Sequence, residues 1–396
     1  MKKTLLLLFL IFLSLQAFAQ NIPAPPEINS KSAIMIDAET GQILYEKNPD
    51  EQIPPASMTK LMTIYTTLEL VREGNANIDD IVPISDSADF RNAPPHSSLM
   101  FLEKGQKVTL KELLQGMALP SGNDAGIAVA EYLAGSVNNF IKLMNNNAKK
   151  LGMTHTSFDD SSGYSALNTT TARDFANFCK IYVEKNKDYL ELLHCPKSFT
   201  YPQKHNLPPS GESVHGPITQ GNHNMLIGRL EGVDGLKTGF IEESGYNIAV
   251  TAQKDGRRII LILMGGTGKN AMDGSVRRAI DATYLLGYGF YGWTEYTPEL
   301  PKDEKIRIYG GNKKNLDVLF SNGEKTFIRT ELIPELKIRA YTDKIKLPVI
   351  IGSSVGKWQL EDGNGNIYQS GTITARENIK EGNIFKRIFD KPKRNE

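Results

Sequence analysis

The stretch IPPASMTKLMT, Ile53 to Thr63, decides how the rest of the chain is read. Pro54 and Pro55 close one element and can open another. Behind them a helix is expected from about Ser57 to Glu73, because Ser57, Lys60, Leu61, Ile64, Leu68 and Val71 fall on one face at the i, i+3, i+4, i+7 rhythm. Ser57 and Lys60 then stand one turn apart at its leading end. Lys60 would lie at the edge of an apolar stripe, where an ammonium ion is costly to desolvate. A lysine so placed either reaches out to water or does chemistry with an easily lost proton.

Before this stretch, SAIMIDAETGQILYEKN reads as two strands joined by a turn at Glu39 to Gly41. After it, LKELLQGMAL and DAGIAVAEYLAG read as helices interrupted by Pro120-Ser121-Gly122-Asn123. Further helical patterns cover Val137 to Leu151 and Thr171 to Glu184, and Lys197 to Arg229, rich in His, Pro, Gly and Asn, reads as a long loop. Three strands follow, VDGLKTGF, GYNIAVTAQ and RRIILILMG, the last two joined by Asp255-Gly256, a strong hairpin signal. A helix over Gly274 to Leu286 closes this region.

The texture then changes to short alternating segments, EKIRIYGG, LDVLF, TFIRTEL, LKIRAY and KWQLEDGNGNIYQSGTI, the rhythm of a small all-β domain. The expected organisation is an α+β domain over residues 30–291, an antiparallel sheet flanked by helices, then a β-rich domain over 295–375. Residues 376–396 form a short basic tail with Ile384, Phe385, Ile388 and Phe389 at helical spacing.

The first 20 residues, MKKTLLLLFLIFLSLQAFAQ, have a basic start, an apolar run and a small-x-small ending at Ala17 and Ala19. This is the pattern of a signal peptide, residues 1–19, and predicts export to the periplasm or beyond. Its removal leaves 44 basic against 45 acidic residues, a balance that gives no reason to expect a nucleic-acid partner. Cys179 and Cys195 lack metal or redox spacing, so one bridge or two buried thiols is expected.

Three short motifs occur in order: Ser57-Met58-Thr59-Lys60, Ser121-Gly122-Asn123 and Lys237-Thr238-Gly239. Each alone is weak; the order and the contexts, a helix start, a break between helices and a strand before a hairpin, are what carry weight. A serine hydroxyl is a poor nucleophile until a base takes its proton, and a buried lysine one turn away can do so if burial and a second cation, Lys237, lower its pKa. Backbone N–H groups of Ser57 and Phe240 suit an oxyanion hole. Ser121, between the two lysines, can relay a proton to a leaving amine. Asn123 offers an amide to substrate backbone, while Lys237, Thr238 and Gly239 can receive a carboxylate.

At these residues the chain resembles the serine D-alanyl-D-alanine carboxypeptidases, the low-molecular-mass penicillin-binding proteins. MIDAETGQILYEKN and VDGLKTGFIEESGYNIAVTA extend the resemblance, which covers nearly all of the chain after the leader. It implies a penicillin-recognising fold of the transpeptidase and β-lactamase kind, acylation of Ser57 by a cell-wall stem peptide, release of the terminal D-alanine and hydrolysis by water. It implies no cofactor and no metal, and covalent inhibition by β-lactams. Relatives of this kind often end in an amphipathic helix held at the inner membrane; here the tail resembles a shortened version, with seven basic and four acidic side chains over 376–396 and a weak interfacial contact expected.

Other readings compete on the same residues. Class A β-lactamases share the three motifs but deacylate with a glutamate, and none occurs between Tyr132 and Val183. A penicillin-binding module without turnover fits poorly with retention of both lysines, both serines and the asparagine. A D,D-endopeptidase acting on cross-linked peptidoglycan remains the alternative. GGTGKN at Gly265 to Asn270 fails the phosphate-loop pattern, His205, His215 and His223 read as surface-loop residues, and Asp159-Asp160 reads as a solvated turn or helix cap.

Overall fold

The protein is described here from a computed structural model that covers residues 25–208 and 210–390. The signal-peptide segment and residues 391–396 of the tail lie outside the described residues. In chain order the first elements are β1 (Ser32–Asp37), β2 (Ile43–Lys47), α1 (Thr59–Arg72), β3 (Ile81–Val82), β4 (Val108–Thr109), α2 (Leu110–Ala118), α3 (Asn123–Ala134), α4 (Val137–Lys150), α5 (Ala172–Lys185) and α6 (Lys187–Leu193). Then come β5 (Ser198–Tyr201), β6 (Ile218–Gly221), β7 (Val233–Ile241), β8 (Gly245–Lys254), β9 (Arg257–Gly266) and α7 (Ala271–Tyr291). Contacts divide the chain into two compact units between Tyr291 and Gly292.

The first unit is built on a five-stranded sheet in the order β2-β1-β9-β8-β7, with each pair antiparallel. Asp255 and Gly256, both at positive φ, make the β8–β9 turn, as the Asp-Gly pair predicts. β7 ends the sheet, so its outer edge carries no further strand of that sheet.

Helix α1 runs through the middle of this unit. Leu61, Met62, Ile64, Tyr65 and Leu68 are buried, but so are Thr59, Lys60, Thr63, Thr66 and Thr67 on the remaining faces. The one-faced pattern expected from sequence is thus a helix buried nearly all round, and its polar side chains are satisfied internally. Thr63 Oγ1 donates to the Ser161 carbonyl at 2.6 Å and Thr67 Oγ1 to the Thr63 carbonyl at 2.9 Å. Lys60 therefore has no stripe edge from which to reach water.

Helix α2 opens on a reciprocal capping box, Thr109 with Glu112. Helix α4 opens on Ser136 and α5 on Thr171, both accepting from the N3 amide. The segment expected to be one long loop, Lys197 to Arg229, contains the β5–β6 hairpin, paired from Ser198–Gly221 to Tyr201–Ile218. Its strands are only four residues long and sit among turn-forming residues, which hid their alternation. Helix α6 was not foreseen, and α7 is longer at both ends than expected. Cys179 and Cys195 are both free, Cys179 buried and Cys195 partly so.

The second unit holds β10 (Trp293–Tyr296), β11 (Lys305–Arg307), β12 (Asn315–Phe320), β13 (Thr326–Arg329), β14 (Lys337–Thr342), β15 (Ser354–Glu361), β16 (Ile367–Ala375) and a short helix α8 (Ile384–Phe389). Its main sheet runs β11-β12-β16-β15-β14, and Leu316, Val318, Trp358, Leu360 and Ile373 form its own core.

Candidate active site

Ser57 lies in a 3-10 turn, Ala56–Met58, that leads directly into α1. The turn is held by neighbours on both sides. From β8, the buried Asn247 donates through Nδ2 to the Pro54 carbonyl at 3.0 Å and accepts Gly265 N–H through Oδ1 at 2.9 Å. Ala56 adopts φ +49°, an uncommon conformation for a residue with a Cβ, and the structure around it must hold it there.

Two glycines let the backbone close on this turn. A Cβ on Gly239 would come within 2.6 Å of the Pro55 carbonyl oxygen and 3.1 Å of Ser57 N, so only glycine allows β7 to pass this close. Gly163, at φ +81°, would put a Cβ 1.8 Å from the Ala56 carbonyl oxygen. Gly239 stands in a motif legible in the sequence, whereas nothing in the sequence marks Gly163.

The structure brings all three motifs together. Lys60 Nζ donates to Ser57 Oγ at 3.1 Å, to Asn123 Oδ1 at 2.7 Å and to the Ser162 carbonyl at 2.6 Å. Its side chain is fully buried, and burial lowers its pKa to about 7 against the carboxylates of Asp160 and Asp124, which raise it. Desolvation thus lowers it without the help expected from Lys237. Lys237 is buried as well and donates to the Thr238 carbonyl at 3.1 Å. Its pKa lies well below the usual lysine range, through burial first and then the cations Lys60 and Arg278.

Ser121 is buried at φ +68°, and its Oγ has no hydrogen-bond partner among the described residues. A buried hydroxyl without a partner is costly, and here it stands between two helices at a motif that carries chemistry. The glycine of Ser121-Gly122-Asn123 has a local cause: a Cβ at position 122 would lie 2.7 Å from Asp124 Oδ1 and 2.8 Å from Met100 N. Asp124 itself accepts the N–H groups of Met100 at 2.8 Å, Leu102 at 3.0 Å and Ala125 at 2.9 Å, which pins the segment above Asn123. Thr238 is buried, whereas Phe240 is exposed and packs on Tyr246 with ring centroids 4.4 Å apart.

Two further contributors were not legible in the sequence. Arg278, on α7, is buried and donates to the carbonyls of Gly239 at 3.2 Å and Asn247 at 3.3 Å; burial lowers its pKa to about 10. It looks like any arginine in a helix of mixed composition, and only the packing of α7 against β8 and β9 reveals it. His194, fully buried, joins Tyr182 Oη at 2.7 Å to the Leu236 carbonyl at 3.1 Å, immediately before Lys237. Burial pushes its pKa down to about 4.

A buried lysine on a serine, a second buried lysine on the edge strand and an orphaned serine hydroxyl are the parts that serine acyl-transfer chemistry of the Ser-Lys kind needs. Comparison with known proteins agrees. Residues 19–268 match the family described as D-alanyl-D-alanine carboxypeptidase, and the chain belongs to that family. It is 32% identical to the D-alanyl-D-alanine carboxypeptidase DacD of Escherichia coli K12, over 98% of both chains. Among solved structures it resembles the D-alanyl-D-alanine carboxypeptidase DacD of Francisella tularensis, with a TM-score of 0.78, 25% identity and coverage of 91% of this chain and 96% of that one. It also resembles penicillin-binding protein D2 of Listeria monocytogenes in its cefotaxime-bound form, at TM-score 0.57 and 27% identity, covering 68% of this chain and 100% of that one. The fold is the penicillin-recognising fold, and the protein is a serine-type D-alanyl-D-alanine carboxypeptidase.

Proposed function

We propose that Ser57 is the acylated nucleophile, with Lys60 as its base. The observation that carries this is the Lys60 Nζ to Ser57 Oγ contact of 3.1 Å on a fully buried lysine. Neutral Lys60 takes the hydroxyl proton as Ser57 Oγ bonds to the carbonyl carbon of the penultimate D-alanine. The N–H groups of Ser57 and Phe240 receive the developing oxyanion. Ser121 passes a proton to the amine of the departing D-alanine as the C–N bond breaks. Lys237 and Thr238, beside Gly239, take the terminal carboxylate, with Arg278 bracing the strand beneath them, and Asn123 meets the substrate backbone. Water then cleaves the ester and restores Ser57. The free edge of β7 suits an extended peptide.

Carboxypeptidase action on a stem pentapeptide is read as the main activity, with D,D-endopeptidase action on cross-linked wall as the alternative. Incubating the purified protein with a pentapeptide and with a cross-linked muropeptide separates them. Release of free D-alanine from the first is expected; cleavage of the cross-link alone would overturn the reading.

We further propose that the chemistry belongs to residues 30–291 and that 295–375 governs where the protein acts. Each unit has its own core. A chain ending at Tyr291 should hydrolyse a soluble peptide at near the parental rate; a folded but inactive product would contradict this. Export through residues 1–19 and a weak contact of the tail with the inner membrane complete the reading. Ile384, Phe385, Ile388 and Phe389 are all exposed, beside Lys386 and Arg387. No helix among the described residues is long and apolar enough to cross a membrane.

A further inference from the structure

The loop between α4 and α5 carries SFDDSSGYSALN, residues 157–168, and presents the Ser162 carbonyl to Lys60. Its conformation is organised around one side chain. Asp160 Oδ1 accepts the N–H groups of Ser162 at 3.0 Å and Gly163 at 2.5 Å and the Asn168 amide at 3.0 Å, while Oδ2 accepts Ser165 N–H at 2.7 Å. Four donors converge on one carboxylate, so Asp160 does more than the solvated turn or helix cap read from sequence for Asp159-Asp160. Asn168, buried, closes the ring by accepting the N–H groups of Asp159 at 2.6 Å and Asp160 at 3.2 Å, and its amide reaches Thr59 Oγ1 at 3.3 Å, one residue before Lys60.

The loop touches the catalytic segment at three further points. Gly163 packs on the Ala56 carbonyl, the Ser161 carbonyl accepts from Thr63, and the Ser162 carbonyl accepts from Lys60. We propose that Asp160 is a positioning residue of this active site: its carboxylate shapes the loop that holds the Ser162 carbonyl on Lys60 Nζ, and its negative charge stands against the Lys60 ammonium ion. It touches no reacting atom, and its oxygens are turned to loop N–H groups rather than to a water for deacylation. The proposal rests on the reading of Lys60 as the base.

The titratable and charged groups around Lys60 come from several elements. The carboxylates of Asp160 in the loop and Asp124 at the start of α3 act on it, while Lys237 on β7 and the His223 ring after β6, whose pKa burial lowers to about 4, each feel Lys60 and the Arg278 cation of α7. Of these, Asp160 and Asp124 favour the ammonium form, opposing burial. Removing the Asp160 charge therefore lowers the Lys60 pKa, and the neutral base persists to lower pH.

The test is the pH profile of acylation by labelled penicillin in the full chain and in D160N, D160S and D160E. Asparagine and serine can still accept loop N–H groups but carry no charge; glutamate keeps the charge. The acid limb should move to lower pH by about one unit in D160N and D160S, which is about tenfold in rate on the acid side. D160E should leave the limb in place while lowering the rate throughout. A parental limb near neutrality that stays put in folded neutral variants overturns the proposal alone. A parental profile with no such limb overturns the base assignment and the proposal with it. Failure of both neutral variants to fold, where D160E folds, also overturns it, because the carboxylate would then serve stability.

Discussion

Lys60 Nζ lies 3.1 Å from Ser57 Oγ, and no part of the lysine side chain is exposed. The nitrogen has three acceptors, Ser57 Oγ, Asn123 Oδ1 and the Ser162 carbonyl, which matches the three donors of an ammonium ion. With its pKa lowered to about 7, it is poised to release one of those protons at neutral pH. Below that value the lysine is charged and cannot act as base, so acylation should fall about tenfold per unit on the acid side.

Lys60→Arg keeps the cation but not the base, since a guanidinium does not deprotonate in this range. Acylation by penicillin should slow by roughly 10²- to 10⁴-fold. The rate of adduct formation, measured beside a circular-dichroism check of folding, decides it. A folded arginine variant reacting at near the parental rate would leave Lys60 with an electrostatic role only.

Gly163→Ala tests the contact that closes the loop on the serine turn. The alanine would need φ near +81° and a Cβ 1.8 Å from the Ala56 carbonyl oxygen, which is backbone and cannot swing away. The left-handed conformation alone costs about 1 kcal/mol, and the clash adds to it. A loss of at least about 2 kcal/mol in urea unfolding and a slower acylation of Ser57 are expected. Unchanged stability and rate would show that the loop can retreat freely.

How much of this was legible follows from what kind of signal each residue gives. The Ser57, Ser121 and Lys237 motifs are local words, and the β8–β9 hairpin is announced by Asp255-Gly256. The depth of α1 was not legible, because buried threonines satisfied by Ser161 and Thr63 carbonyls read as a polar face. Arg278, His194 and Asp160 act through carbonyls and N–H groups far away in sequence or through a folded loop, and neither composition nor spacing marks such partners. The β5–β6 hairpin was lost among turn residues.

His194 supplies a pH signature in stability. Its folded pKa of about 4 lies below its ordinary 6.5, so between those values the unfolded chain binds a proton that the native protein does not. Stability from this group is complete above about 6.5, falls with pH through that window and falls no further below about 4. The loss is bounded at about 3 kcal/mol. His194→Gln should flatten this part of the urea-midpoint curve; a slope equal to the parent's would assign the effect elsewhere.

Whether Ser57 carries the acyl group is read out by intact-protein and peptide mass spectrometry after exposure to penicillin. One adduct is expected, on the peptide containing Ser57, and none on the Ser57→Ala protein. An adduct that persists in Ser57→Ala, or one that maps to Ser121, would contradict it.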